Sequence, residues 1–512
     1  MNNLFNTIKL KRPKSNLFDL SHEKKLSCNM GDLIPIMVQE VVPGDKFKVN
    51  TEMLMRFAPM IAPVMHRINV FTHYFFVPNR LVYSDWEEFI TGGPDGKSEP
   101  TFPTLSVQEG SKSLFLKGSL ADYMGVPIPP TSGTITKALG FNALPFRAYV
   151  EIYNEYYRDQ NLQTRLEYNK TGTIDGGDWA TLLTLRKRAW EKDYFTSALP
   201  WAQKSEEVLL PGTIAYETGS ASYLYDADDN ELADTAGNLT VDANGKLNTP
   251  HEGGQVGRIE TEGTLDVTIN ELRRATKLQE WLEKNARGGS RYIEQIFSHF
   301  GVKSSDARLQ RPEYLGGGKS PVVISEVLQT SKTDTSPQGN MAGHGISVGN
   351  ANGFNKYFEE HGFIIGIMSV LPRTSYQQGF PRQLHHHTKF DYYFPEFAHL
   401  GEQEIYDYEL FVDYLNTSGT YDPLRVFGYT PRYAEYKFNH STVHGDFKDN
   451  LAFWHEGRIF NGPPVLNEDF IKADPSHRIF AVTDPDVHKL YVQLYNDVKA
   501  KRPMPKFGTP QL

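Results

Sequence analysis

The chain has 512 residues, a formal net charge of −9, 39% hydrophobic and 12% aromatic side chains, and a single cysteine, Cys28. One cysteine excludes an internal disulfide, and the longest apolar run, near Phe363 to Leu371, is too short to cross a bilayer. With no charged-then-apolar leader, these features predict a soluble protein made in a reducing cytoplasm; length alone does not choose between several domains and one core with large insertions.

In chain order, residues 1–30 read as a basic arm, with Lys9, Lys11, Arg12, Lys14, Lys24 and Lys25 against Asp19 and Glu23. Strands are predicted over Leu33 to Val42 and Lys46 to Phe57, joined by a Pro43-Gly44-Asp45 turn. The aromatic and β-branched run Arg67 to Val77 predicts a strand buried on both faces, ended by Pro78. Ser84, with Glu87 three residues on, predicts a capped helix through Trp86, Phe89 and Ile90 that stops at Gly92-Gly93. Between Thr213 and Asp266 eleven acids, among them Asp226, Asp228, Asp229, Glu231 and Asp234, face only Lys246 and Arg258, a local charge equal to that of the whole chain. Gly, Asn, Asp and Thr replace aromatics there, and the pairs Tyr223-Tyr225 and Leu239-Val241 favour an ordered acidic surface insertion of short hairpins over a linker. A helical insertion follows over 269–300, with helices predicted at Ile269 to Asn285 and Ser290 to Phe300. Further strands are predicted at Pro321 to Thr330, Gly362 to Leu371 and Arg432 to Phe438. The end, 499–512, reads as a basic tail carrying Lys499, Lys501, Arg502 and Lys506. Many strands widely separated in sequence predict a mainly β, antiparallel sandwich.

No catalytic constellation survives inspection. Gly316-Gly317-Gly318-Lys319-Ser320 lacks the first glycine of a phosphate loop, which falls at Glu313, and reads as a glycine-rich turn. His385-His386-His387 lacks a companion carboxylate or cysteine at metal-site spacing, and His440 and His444 have Ser441 where a zincin has glutamate. The adjacent acids Glu87-Glu88 and Asp228-Asp229 point apart. The expectation is a protein with no catalytic residues, no metal and no cofactor, and with Cys28 a buried thiol. Arginines among aromatics are the residue types that anchor interfaces, and the candidates are Arg80, Trp86, Arg147, Tyr149, Arg373, Arg432 and Tyr433.

Four blocks carry a specific resemblance: SCNMGDLIPIMVQEVVPGDKFKV (Ser27 to Val49), FTHYFFVPNRLVYSDWEEFITGG (Phe71 to Gly93), LPFRAYVEIYNEYYRD (Leu144 to Asp159) and YTPRYAEYKF (Tyr429 to Phe438). They resemble the major capsid proteins of gokushoviruses, small single-stranded DNA phages of the Microviridae. The resemblance implies a single eight-stranded viral jelly roll in which 31–512 form a core with insertions, and a protrusion near the three-fold axis built by 213–266. It also implies sixty copies in a T=1 icosahedral shell grouped as pentamers, in the virion after assembly in the host cytoplasm. Implied partners are an internal scaffolding protein, a small basic DNA-binding protein, a DNA pilot protein, the single-stranded DNA genome and a host surface receptor. Basic ends and an acidic insertion suggest sidedness, with Lys9, Lys11, Arg12, Lys14, Lys499, Lys501, Arg502 and Lys506 facing the genome, because displaced counterions supply sequence-independent affinity for phosphate. The rival expectation is a carbohydrate-binding or carbohydrate-active β-sandwich protein, whose Tyr, Trp and Asp would line a groove.

Overall fold

The computed structural model describes residues 14–130, 132–205, 208, 268–289, 291–328, 341–416, 419 and 421–507, and the backbones of short strands between 214 and 265. Strands β1 (Asn16–Asp19), β2 (His22–Cys28), β3 (Ile34–Val41), β4 (Lys46–Phe57) and β5 (Ile68–Pro78) come from the first part of the chain. The second part adds β6 (Glu313–Pro321), β7 (Val323–Leu328), β8 (Met341–Tyr357), β9 (Gly362–Pro372), β10 (Glu402–Tyr406), β11 (Val426–Pro431) and β12 (Leu490–Arg502).

Two antiparallel sheets hold the main unit together. One runs β7-β8-β4-β12, with β1 and β2 both paired to the far edge of β12; the other runs β6-β5-β9-β3. The pairing is nested: β2 lies beside β12, β3 beside β9, β4 beside β8 and β5 beside β6. In β4 the alternation that marks a half-buried strand is complete, with Phe47, Val49, Met53, Met55 and Phe57 buried while Lys46, Lys48, Glu52 and Arg56 stay exposed. Inward side chains of both sheets, such as Ile36, Met55, Phe76, Ile364 and Leu494, form one core cluster. A polar relay crosses it: the Tyr74 hydroxyl donates to Thr51 Oγ1 at 2.6 Å, and Thr51 donates to Asn496 Oδ1 at 2.8 Å, so the buried hydroxyls keep partners.

The second face of the β6-β5-β9-β3 sheet is also covered. Phe75, Val77, Phe363, Ile365 and Ile367 pack against helix Leu144–Ile152, whose residues are all buried except Pro145. That explains why β5 and β9 read as continuous apolar runs, since every residue of β9 is buried. The helix passes into a π-helical turn at Tyr153–Tyr157, which places Tyr157 Oη 2.8 Å from His73 Nδ1.

Several local expectations are corrected. The expected helix spans Trp86–Thr91, after a single short helix at Asn79–Val82, and has Asp85 at its N-cap; the Ser84 hydroxyl instead donates to Asp85 Oδ1 at 3.0 Å and to the Lys170 carbonyl. Its stop is as expected, with Gly92 in the left-handed conformation at φ 76°. The glycine run at 316–318 is a strand segment of β6 and not a turn: a Cβ on Gly317 would stand 2.5 Å from the Thr72 carbonyl oxygen, so glycine is what lets β6 approach β5. Arg432 to Phe438 is no strand. The strand is β11, and Tyr433, left-handed at φ 60°, turns the chain into a 3₁₀ turn at Ala434–Tyr436. The arm proposed for 1–30 contains β1 and β2, and 499–502 are the last residues of β12, not a free tail.

Gln203–Arg287 is a separate compact unit. Within it Ile214–Ala215 pairs with Thr264–Leu265, Tyr223–Asp226 with Val256–Glu260, and Thr240–Val241 with Leu247–Asn248, a nested antiparallel series. Helix Ile269–Gly288 falls almost wholly in this unit, whereas helix Tyr292–Phe300 belongs to the main one. The division therefore cuts the expected helical insertion in two. Arg291 explains the second assignment, donating to the Asn154 and Arg158 carbonyls at 3.0 Å each and so tying the start of that helix to the π-helical turn.

Candidate functional site

The two basic ends of the chain meet on one sheet. The register sets Asn16 opposite Arg502, Leu17 opposite Lys501 and Asp19 opposite Lys499, so chain segments nearly five hundred residues apart share a ladder. On the outward side of the same sheet Lys48 lies opposite Lys499 and Lys46 opposite Lys501. Like charges placed directly across a ladder repel, and among the described residues only part of this charge is compensated. Lys499 reaches Asp19 Oδ2 at 2.5 Å and Asp497 Oδ1 at 3.3 Å, and its hydrogen bond pulls the Asp19 carboxyl down to about 2. Lys46, Lys48 and Lys501 are exposed, and Tyr491 and Tyr495 stand exposed along the same face.

The other basic candidates divide. Lys9, Lys11 and Arg12 lie outside the described residues, while Lys14 and Lys506 are exposed. Arg502 is consumed by the fold. Its guanidinium is 3.2 Å from Asp45 Oδ2, donates to the Glu40 carbonyl at 2.5 Å and lies over the Phe47 ring. Asp45 is fully buried in the turn after β3, where it also accepts from the Val42 N–H, so Arg502 compensates a carboxylate the turn requires. Of the acidic candidates, Asp226 ends a described strand and Asp228, Asp229, Glu231 and Asp234 lie outside the described residues.

The interface candidates are sorted by burial. Arg147 is fully buried and donates to the carbonyls of Val82, Lys170 and Thr171 at 3.1, 3.3 and 2.9 Å; Tyr149 is fully buried between the Leu33 carbonyl and the Arg186 N–H. Tyr433 is buried as well, its N–H held by Gln403 Oε1 at 2.9 Å. These three are core elements with no surface to offer a neighbouring chain. Arg80 is spent on a two-pronged pair with Glu360 at 2.5 and 3.1 Å. Trp86 is half-buried against Phe89 and His361, and Arg432 lies over the Tyr433 ring at 4.6 Å. Arg373 is exposed.

A surface that the sequence reading passed over is apolar. Between Arg382 and Leu400, Leu384 (71% exposed), Phe390 (55%), Tyr392, Tyr393 and Phe394 stand in solvent, and nearby in sequence Tyr414 and Leu415 are each 87% exposed. The stretch is built of 3₁₀ turns at Arg382–His385, Lys389–Asp391 and Pro395–Phe397, so it has neither a period of two nor of 3.6 to betray a face. Aromatic density without periodicity was the available signal. His385 and His387 meet edge-to-face with ring centroids 4.7 Å apart within this stretch, and desolvation lowers the His385 pKa. Among the described residues no three His, Cys, Asp or Glu side chains are grouped to hold a metal, and no described helix is long and apolar enough to cross a membrane. Cys28 is fully buried, and burial raises its thiol pKa.

Comparison with known proteins gives one answer. Residues 5–512 match the family described as Capsid protein (F protein). The chain is 35% identical to capsid protein VP1 of Chlamydia phage 1, with 100% of this chain and 98% of that protein covered. It is 37% identical to VP1 of Bdellovibrio phage phiMH2K over 96% and 94% of the two, and 31% identical to VP1 of Spiroplasma virus 4 over 98% and 95%. These matches leave the carbohydrate-active alternative without support. The full-length match and the antiparallel β sandwich agree: the chain belongs to the phage capsid protein (F protein) family, alongside the gokushovirus capsid proteins, and is a structural component of the virion and not an enzyme.

Proposed function

We propose that sixty copies of this chain, grouped as pentamers, close into a T=1 icosahedral shell around a single-stranded DNA genome. The observation that carries the reading is the exposed aromatic surface at Leu384 and Phe390 to Phe394, because soluble chains that remain single rarely leave a contiguous patch of this kind uncovered. A second copy is its natural cover, and heterologous contacts that close on themselves build a finite particle. The nested pairing of eight strands in two facing sheets supports an eight-stranded jelly roll. For the genome-facing wall we favour the outward side of β4 and β12, where Lys46, Lys48, Lys499 and Lys501 share a face with Tyr495 and, further along the strand, Tyr491, since cations and stacking rings together suit single-stranded nucleic acid. The acidic insertion is assigned to the outside, at the three-fold protrusion, with host attachment as its role. An internal scaffolding protein, a small basic DNA-binding protein and a DNA pilot protein are the partners the gokushovirus resemblance brings with it.

The test is assembly of a patch variant. Phe390→Ser with Tyr393→Ser should fold as the natural chain does, since both rings are exposed, yet sediment only as small species where the natural chain forms shells. Shells formed equally by the variant would contradict the assignment of this surface.

A further inference from the structure

One end of the β6-β5-β9-β3 sheet carries a polar trough that the assembly reading does not use. Arg67 leads into β5 and Arg373 follows β9, and the register that sets Ile68 opposite Pro372 makes the two arginines neighbours, with the Arg373 N–H donating to the Arg67 carbonyl at 2.9 Å. Both side chains are exposed, and among the described residues neither guanidinium has an ion pair or a hydrogen bond. They flank a trough of about 310 Å³ lined also by Asn69, Lys319 and Ser441, and a second hollow of about 350 Å³ shares Arg67, Arg373 and Ser441 with it.

The acids in the trough wall are already engaged. Glu191 holds Lys319 at 2.8 Å, and Asp193 accepts from the hydroxyls of Thr374 and Tyr376. Asn69, by contrast, is 1% exposed, and neither its Oδ1 nor its Nδ2 has a partner. Ser375 Oγ, buried in the wall of the second hollow, is also unpartnered. A buried amide without hydrogen bonds is costly, and two arginines set side by side on a ladder with no direct ion pair repel. One kind of ligand relieves both: an oxyanion with several acceptor oxygens, matched to guanidinium forks and to an amide donor.

We propose that this trough binds a phosphate group, with Arg67 and Arg373 taking its charge and Asn69 Nδ2 donating to one of its oxygens. The phosphate arrives either as the free ion or as a phosphodiester of single-stranded DNA, and the second source rests on the shell reading above. The volume lies at the lower end of small-ligand sites, roughly 300–1,000 Å³, and so suits a phosphate with its sugar better than a larger group.

Calorimetric titration of the full-length chain with inorganic phosphate, and separately with a short oligothymidylate, tests the site. Arg67→Ala with Arg373→Ala should weaken phosphate binding about tenfold or more, while Arg67→Lys with Arg373→Lys retains part of it. Phosphate that competes with the oligonucleotide, and an oligonucleotide affinity that falls with the double alanine variant, identify the phosphodiester as the source. Phosphate binding that falls while oligonucleotide affinity holds identifies the free ion. Unchanged affinity for both ligands in a variant with the natural unfolding temperature overturns the site. Shell formation is read separately by sedimentation, so loss of this site and loss of the shell reading are distinguishable.

Discussion

Arg147 shows how a single side chain is committed to the inside of the chain. Its guanidinium bridges the backbone carbonyls of Val82, Lys170 and Thr171, and Arg147→Met would remove the donor to the Val82 and Thr171 carbonyls while Ser84 still serves that of Lys170. Unsatisfied acceptors cost about 1–3 kcal/mol each, so the expected loss is on the order of 3 kcal/mol or more in a urea unfolding series. Two carboxyls set a pH dependence. Burial pushes Asp32 and Glu456 up to about 6 from ordinary values of 3.8 and 4.5. A raised folded pKa means that the native state holds protons the unfolded state has released, so each carboxyl's contribution is full below the unfolded value and is lost as pH rises from about 4 to about 6, by about 3 kcal/mol for Asp32 and about 2 kcal/mol for Glu456, against the opposite slope from His66, His73 and His477, whose pKa burial lowers to about 4. Glu456→Gln should flatten its share of that slope, read as unfolding midpoints across the same range; an unchanged slope would contradict the assignment. At this scale the sequence misled in a consistent way. An arginine among aromatics reads the same whether it anchors a neighbour or, like Arg147, ties loops from within, and only the packing of residues far apart in sequence separates the two.

Elements were more legible, because alternation is local. The predicted strand Lys46 to Phe57 matches β4 at both ends, and the continuous apolar run at 362–371 is the strand sandwiched between two cores. That sandwiching has a test: Ile364 packs into the cluster between the sheets and Ile365 into the cluster under helix Leu144–Ile152. Ile364→Ala and Ile365→Ala should each cost about 2–5 kcal/mol in chemical unfolding, where a strand with one solvated face would show one large and one small loss. The glycine run of β6 was not legible, since what makes glycine necessary there is the Thr72 carbonyl of β5, some 245 residues earlier in the chain. Gly317→Val should force β6 away from β5 and leave the chain largely insoluble on expression. The Arg432 to Phe438 misreading has a similar origin: aromatic composition suggested a strand, and the left-handed Tyr433 that breaks it is held by Gln403.

For the whole molecule, the charge asymmetry visible in the sequence suggested a basic arm and tail but not that residues 16–19 and 499–502 pair on one ladder, and it was silent about the aromatic surface at 384–394. Gln203–Arg287 forms its own compact unit, so replacing 213–266 by a short Gly-Ser link should leave shell formation intact and abolish adsorption to host cells, read by counting bound particles. Particles that still adsorb would remove host attachment from the role proposed for the insertion. The measurement that bears most directly on the account is the particle mass of the purified full-length chain, with an internal scaffolding protein supplied, by sedimentation velocity and negative-stain microscopy on one sample. Closed shells, or pentamers that proceed to shells, are the predicted result; a chain that stays a stable monomer under those conditions would contradict self-assembly as its function.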